Sequence, residues 1–423
     1  MIKQIIESLN KINEVSDWII TITKNKTTEC FYVLEELETT RTTNTTDIEV
    51  TVYRKIEDNN ETYMGSATIT IPHKMTNESL INLLQDAVYS ASLVNNKPYE
   101  LVKGDKKLAW NSKNILDKPM KTLDKIAKIF FEVSSPNCKF NSLELFYYIN
   151  NIHIINSQGV DYTKTINSLE VEAIPSFDGE KQKVEIYKYY RYKKVDYKQI
   201  KQDACDALNE ALSRYNAGKL KEKQKLDIIL KDDNVLRLVR ALISTSSYNS
   251  VYKKSSLYKL NDLIQKDAIG DLLTITLAPL SENDGFDKDG VLLQPVTIVD
   301  KAKLVNYFGD NQYAYYLGVK PTGILKYTKV KPGSKSITDM KKKPHLEILS
   351  LSGLQVDIYN GYIGGEVRLA NYFDGNNTIP LSGFSFSGNL NEVLKDIELS
   401  KERHLSTVYD GPKYLKLKNL EVL

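Results

Sequence analysis

The hydrophobic positions change period along the chain. From Met1 to Val15, Ile2, Ile5, Ile6, Leu9 and Ile12 recur at helical spacing, with Lys3, Glu7, Asn10 and Lys11 between them. The period then falls to two. Trp18–Lys24, Cys30–Leu37, Asp47–Ile56 and Thr62–Ile71 are rich in Ile, Val, Thr and Tyr and read as strands, the last ended by Pro72. Helical spacing returns at Leu80, Ile81, Leu84, Ala87, Val88 and Ala91, after a cap at Thr76 or Asn77. The Lys-rich segment Asn95–Pro119 reads as a connector, and Met120–Val133 as a helix. Three strand-like stretches follow, Ser142–Ile155, Asp161–Ile174 and Lys183–Val195. A helix over Asp196–Ala217, with Ile200, Ala204, Leu208 and Leu212 on one face, is stopped by Gly218 as a C′ residue.

The polar run Gly218–Lys225 is the clearest break in the pattern. Beyond it come a strand (Leu226–Leu230), a helix (Asp232–Ser244) and then mostly β segments with Gly turns: Leu272–Leu277, Val291–Val299, Leu304–Phe308, His345–Leu351, Leu354–Tyr359, Gly365–Ala370 and Tyr414–Val422. Short helices are expected at Gln312–Leu317 and Leu390–Ile397, and no solenoid or propeller period is present. The fold class is therefore α+β: an N-terminal strand and helix region over residues 1–218, with a sub-boundary in the linker 95–119, followed by a β-rich C-terminal domain over 219–423.

Composition narrows the chemistry. The 423 residues carry 57 basic and 54 acidic side chains, a net charge of +3, with only 8 Arg among the basic residues. So mild a field argues against nucleic acid or an anionic membrane as partner. No apolar run approaches the ~18 residues of a membrane span. Cys30, Cys138 and Cys205 are odd in number and scattered, which fits a reduced, cytoplasmic chain. The scarcity of His (4) and Cys (3) weighs against a zinc enzyme.

Each constellation has an ordinary reading. His73, His153, His345 and His404 are far apart and outside any H-E-x-x-H, so solitary solvated or capping imidazoles are preferred over a metal site. In Asp284-Gly-Phe-Asp-Lys-Asp-Gly290, Asp284, Asp287 and Asp289 could hold a hard cation, but the twelfth EF-hand position is Pro295 and Asp-Gly pairs favour turns. Glu185–Lys198 interleaves Tyr with Lys and Arg, as on a single-strand nucleic-acid platform, yet a two-faced strand suffices. Lys341–Lys343 before Pro344 reads as a solvated loop, with a peptide- or phosphate-gripping loop as the sharper alternative. No nucleophile elbow or P-loop occurs.

The order of short landmarks is more telling. Asn156-Ser-Gln-Gly159, Gly218, Asp284–Gly290, Leu317-Gly318, Thr322-Gly323, Ser352-Gly-Leu-Gln-Val356, Gly364-Gly-Glu366, Ser387-Gly-Asn389 and Gly411-Pro412 follow one another in a sequence that resembles the TldD/PmbA family, also called the modulator of DNA gyrase family. The resemblance implies a cytosolic metalloprotease system acting on peptides. In it, TldD-like subunits carry H-E-x-x-x-H on a helix and a further Cys ligand near the C-terminus; TldE-like (PmbA) subunits lack both. Here the corresponding helix is Val235–Thr245, the motif positions hold Arg240, Ala241 and Thr245, no His lies between 154 and 344, and no Cys follows Cys205. Arg cannot ligate zinc and Ala cannot act as a base.

The expectation is thus a TldE-like, zinc-free subunit with no catalytic or metal-ligating residue of its own. Arg240, Ala241 and Thr245 would be degenerate positions lining a cavity. Zinc would sit in a TldD-like partner, in a heterodimer or larger assembly, and a peptide would be the substrate. The alternatives are a non-catalytic homodimer that binds peptides or another ligand and, less favoured, a nucleic-acid binder using Tyr189 and Arg191.

Overall fold

A computed structural model describes residues 1–423, with 22% helix and 44% strand in a mixed α+β arrangement. The N-terminal half is one sheet with helices on one face. Its elements are α1 (Ile2–Leu9), β1 (Asp17–Val33), β2 (Glu36–Asp58), β3 (Glu61–Thr70), α2 (Asn77–Ala91), β4 (Lys107–Asn111), α3 (Pro119–Glu132), β5 (Cys138–Asn156), β6 (Asp161–Asp178), β7 (Lys183–Glu185), β8 (Lys188–Tyr192) and α4 (Tyr197–Tyr215). The strand order is β3-β2-β1-β5-β6-β4, and β7 and β8 also pair with β6.

Alternation along the strands assigns the two faces. Trp18, Ile20 and Ile22 of β1 meet Ile48, Val50 and Val52 of β2 under α1 and α2. Farther along the same face, Cys30 and Tyr32 join Leu143, Leu145 and Val171 under α3 and α4. The helices form where the apolar period is 3.6 and a cap is at hand: the Thr76 side chain accepts from Ser79 N–H at the start of α2, and Asp196 accepts from Lys198 and Gln199 at the start of α4.

Several expectations are corrected. The separate strands read at Trp18–Lys24 and Cys30–Leu37 are one long β1, whose turn into β2 falls at Leu34, inside the second predicted strand. The polar middle survives as strand because both neighbours pair with it: buried Glu29 bonds Arg41 across the hairpin, and Thr27 bonds Thr43 at 2.6 Å. The connector 95–119 contains β4, which pairs in parallel with β6. Leu212 is 38% exposed, and the buried stripe of α4 runs through Ile200, Ala204, Ala207, Leu208 and Ala211 instead. Gly218 is not a C′ glycine; α4 ends at Asn216 in a right-handed conformation. Gly218 bridges to the strand at Leu381, donating to Pro380 O and accepting from Ser382 N–H.

The C-terminal half begins with β9 (Gln224–Lys231) and α5 (Asp233–Ile243), a 3-10 turn at Ser244–Ser246 and α6 (Tyr248–Tyr252). Then come β10 (Ile275–Ala278), β11 (Val296–Asp300), β12 (Lys303–Leu304), α7 (Asn311–Leu317), β13 (Tyr327–Val330), α8 (Ile337–Met340), β14 (His345–Asp357), β15 (Tyr362–Phe373), β16 (Thr378–Leu381), β17 (Phe384–Asn389), α9 (Leu390–Lys395), β18 (Glu398–Leu399), β19 (Arg403–Leu405), β20 (Tyr409–Pro412) and β21 (Tyr414–Val422). One sheet has the order β12-β11-β10-β13-β20-β19. The other, β14-β9-β21-β17-β15-β16, closes on itself because β14 also pairs with β15. The two predicted strands between His345 and Tyr359 are the single strand β14, and Leu304–Phe308 contributes only the short β12. A single apolar core fills the space between the sheets and the inner face of α5. No helix is long and apolar enough to cross a membrane.

Candidate functional site

The face of the N-terminal sheet that carries no helix meets the C-terminal half through Asp284–Gly290. This loop forms its turns as the Asp-Gly pairs require, but its aspartates are not a cation site. Asp284 is buried and accepts from the buried Lys164 Nζ of β6 at 2.6 Å; the same ammonium donates to Phe286 O at 2.5 Å. Phe286 inserts its ring between Trp110 and Tyr162, at centroid distances of 5.7 and 5.9 Å, in a cluster with Ile19, Tyr53 and Ile154. Gly285 lies so close to the Trp110 indole that a Cβ there would fall 2.0 Å from it.

Asp287 is also buried. It accepts backbone N–H bonds from Asp289, Val291 and Ile324, each at 3.0 Å, and so fixes the strand-like segment that leads to Lys326. Burial, with Asp289 nearby, pushes its carboxyl up to about 6, against the lowering effect of those three N–H groups. A carboxyl that binds its proton more tightly folded than unfolded favours the fold below its unfolded pKa of ~4, and that contribution is lost as pH rises through 6. From this group alone, unfolding free energy is expected to fall by roughly 2–3 kcal/mol between pH 4 and pH 7. Urea titrations at the two pH values check this, and the change should shrink in Asp287→Asn.

Beside this rivet lies a cleft of about 260 Å³. Its floor is the sheet face, with Thr21 and Thr23 of β1, Ile152 and Ile154 of β5, and Lys164 and Ile166 of β6. Its wall is built by Leu280, the 284–288 loop, Leu293, Ile324 and Lys326. Apolar side chains alternate with threonines and lysines, which suits a ligand with both hydrocarbon and hydrogen-bonding groups.

Helix α5 adjoins the cleft wall. Val235, Leu236, Leu238, Val239, Leu242 and Ile243 face the core, which leaves Arg237 and Arg240 on the outer side. Arg240 Nε donates to Thr328 Oγ1 at 3.1 Å, and Nη2 donates to Lys326 O at 2.6 Å and Val408 O at 3.5 Å. The guanidinium therefore ties α5 to β13 and to the segment entering β20, beside the last residue of the cleft wall. Ala241 is half-buried, and its carbonyl accepts from Ser244 Oγ at 2.8 Å. Thr245 is buried in the 3-10 turn, its Oγ1 accepting from Leu257 N–H at 3.4 Å. None of the three is among the side chains that line the cleft. No group of three or more His, Cys, Asp or Glu side chains converges to hold a metal ion.

The histidines stand apart. His153 Nε2 lies 2.8 Å from Asp161. His404 Nδ1 is 3.3 Å from Asp232, the residue that starts α5 at a positive φ of 52°. His345 is neither solvated nor a cap: it is buried, its Nδ1 sits 2.8 Å from Lys343 O, and burial pulls its pKa below the usual value, aided by Lys416 and Lys341. The 341–343 run is less free than a solvated loop, because Lys341 pairs with Glu347 at 2.7 Å and Lys342 with Asp339 at 2.6 Å. In the Tyr/Lys stretch, Tyr189 donates to Glu170 at 2.5 Å and Arg191 Nε donates to the Tyr189 hydroxyl at 2.6 Å, so both side chains are engaged within the sheet.

Sequence reasoning missed the cleft. Its parts lie on β1, β5, β6 and two loops more than 100 residues away, and no local pattern joins them. Lys164, the only lysine in β6 and flanked there by Thr163 and Thr165, is the one local signal that could have pointed there.

Residues 223–423 match the sequence model of the PmbA/TldA metallopeptidase C-terminal domain. No curated protein sequence matches the chain. Among solved structures, the chain is similar over 100% of its length to 99% of TldE from Thermococcus kodakarensis, with a TM-score of 0.78 and 15% identity. It is equally similar, with TM-score 0.78, 15% identity and 100% of both chains covered, to a protein from Thermotoga maritima described as a candidate modulator of a DNA gyrase. A protein from Bacteroides thetaiotaomicron with a like description gives a TM-score of 0.78 at 16% identity, over 99% of this chain and 97% of that one. At such identities these likenesses concern the fold.

Proposed function

We propose, from the match of residues 223–423 to the PmbA/TldA metallopeptidase C-terminal domain, that this chain is the zinc-free, TldE-like subunit of a cytoplasmic peptide-hydrolysing assembly whose zinc is held by a TldD-like partner. The observation that carries this reading is the state of α5. Where a TldD-like helix would direct two imidazoles and a carboxylate at a metal, α5 has a guanidinium bonded to Thr328 and Lys326 and a methyl group, and the third position, Thr245, has left the helix for the 3-10 turn, where its buried hydroxyl is bonded to Leu257. A cation fixed at that place opposes a second cation, and neither Arg nor Thr here offers a free ligand atom. Arg240 performs a cross-link between helix and strand that needs no ion.

The cleft beside Arg240 supports a role in shaping the peptide site. Its threonines and lysines can bond an extended main chain, and its isoleucines can cover side chains. A non-catalytic homodimer that binds peptides is the second reading, favoured by the same cleft and the same lack of ligands.

The two readings separate on mixing this chain with a zinc-bearing TldD-like protein. Peptide hydrolysis should rise well above that of the zinc-bearing protein alone and should stop on chelation. No change in rate on mixing, with peptide still bound by this chain, would leave the binding module standing and remove the subunit reading.

A further inference from the structure

The sheet face opposite α1–α4 runs on past the cleft. Along β5, Ile152 and Ile154 line the cleft, and Asn150, Tyr148, Phe146 and Glu144 follow at two-residue steps on the same side. The intervening Tyr147, Leu145 and Leu143 point the other way, into the core under α3 and α4. Glu144, Phe146 and Tyr148 are half-buried, with no helix over them.

Strand register lays two rows of side chains across this face. In the first, Arg41, Glu29, Phe146, Glu170 and Arg191 stand side by side on β2, β1, β5, β6 and β8. Its charges cancel within the row: Arg41 Nε bonds Glu29 at 2.7 Å, and Arg191 Nε lies 3.3 Å from Glu170. In the second, Thr39, Phe31, Glu144, Glu172 and Tyr189 stand side by side on the same five strands. Here two carboxylates face each other directly, and neither has an ion-pair partner in the chain. Like charges set opposite across a strand pair oppose folding. Partial burial, and then Glu172, hold the Glu144 carboxyl above its ordinary pKa. Tyr187 lies beside both: partial burial, then Glu172 and Glu144, push its hydroxyl up to about 12. One row is thus neutralised from within and its neighbour is left two charges negative.

We infer that this open sheet face takes an arginine side chain of an extended peptide, its guanidinium seated between Glu144 and Glu172. Opposite residues hold their Cβ atoms ~5 Å apart, a gap in which a planar guanidinium can bond a carboxylate on each side. Phe31 and Tyr189 border the pair, and these rings already receive cations: the Arg41 guanidinium lies 5.7 Å from the Phe31 centroid and that of Arg191 5.1 Å from Tyr189. Two carboxylates supply too few oxygens for calcium, which takes about six to eight. The occupant is therefore an organic cation with a flat face. Glu144 stands eight residues from Ile152 on one strand, roughly 27 Å, so a peptide held in the cleft reaches the pair with a residue about eight positions along.

This inference rests on the peptide-binding role proposed above for the cleft, and it needs no zinc-bearing partner. Fluorescence anisotropy with the purified full chain tests it. The probes are labelled unstructured peptides of about seventeen residues, with isoleucines at both ends and Arg, Gln or Glu at the centre. The wild-type chain is expected to bind the Arg peptide about tenfold more tightly than the Gln peptide and the Glu peptide least, a preference that shrinks at high salt. The double variant Glu144→Gln, Glu172→Gln keeps both side-chain shapes and relieves the repulsion, so it is expected to remain folded by circular dichroism. It should bind the Gln peptide as the wild type does and lose the preference for Arg. Equal binding of the Arg and Gln peptides by the wild type overturns the inference and leaves the cleft as a peptide site. A preference for Arg that survives in the double variant overturns it too, because the cation then sits elsewhere. Failure to bind any of the three peptides removes the peptide reading of the cleft and this inference with it.

Discussion

Replacing Lys164 by Met is expected to lower the stability of the chain by about 3–5 kcal/mol, the cost of leaving a buried carboxylate without its partner. Lys164 is the one cation bonded to Asp284, and both side chains are almost fully withdrawn from water. The ammonium also bonds Phe286 O and sits 4.5 Å from the Phe286 ring centre, so its loss loosens the whole contact between the sheet and the 284–290 loop. The effect should be a property of the unpaired charge more than of the pair. Lys164→Met combined with Asp284→Leu is therefore expected to recover much of the loss, since a buried ion pair replaced by packed apolar groups is often close to neutral. Urea unfolding of the wild type, both single variants and the double variant checks this. A double variant as unstable as the sum of the singles would contradict it.

Gly285→Ala is expected to cost about 1–3 kcal/mol, from overpacking. The new methyl would meet the body of the Trp110 indole, 2.0 Å from one ring carbon and 2.5 Å from the ring nitrogen. A rigid ring held by Tyr162 and Phe286 cannot yield as the tip of a lysine could. Because Trp110 is one of only two tryptophans, its emission should shift even where the fold survives. Trp110→Leu should make Gly285→Ala cheaper. If the alanine costs the same with leucine at 110, the indole is not what the glycine accommodates.

These two contacts show what could and could not be read from the sequence. The helices with a 3.6-residue apolar stripe, α2 (capped by the Thr76 side chain) and α5, were legible to within a residue or two. The hairpin β1–β2 was not, because its turn at Leu34 and Glu35 lacks the Gly or Asn that marks most turns, while Lys24–Glu29 in its middle carries no apolar alternation. That stretch becomes a strand only through pairing with Arg41, Thr43 and β5, which local pattern does not encode. The Asp-Gly turns were legible as turns. That Asp284 would find a lysine 120 residues away, and that Phe286 would seat in an aromatic cluster on another sheet, depends on the tertiary fold.

The candidate site divides in the same way. Arg240, Ala241 and Thr245 were picked out by the resemblance alone, since nothing in their own spacing marks them. The guanidinium's span to β13 follows from the packing of α5 against a strand that arrives much later in the chain, whereas the Thr245 hydroxyl is closed onto Leu257, twelve residues on, by the irregular segment that follows α6. The cleft beside them was invisible for the same reason.

The central claim is that this chain contributes shape and support, while a partner contributes the metal. The most direct test is the zinc content of the purified chain alone, by elemental mass spectrometry, alongside its hydrolysis of unstructured peptides with and without chelator. The account predicts zinc far below one ion per chain and no cleavage that a chelator abolishes. Stoichiometric zinc together with chelator-sensitive cleavage by this chain alone would contradict it.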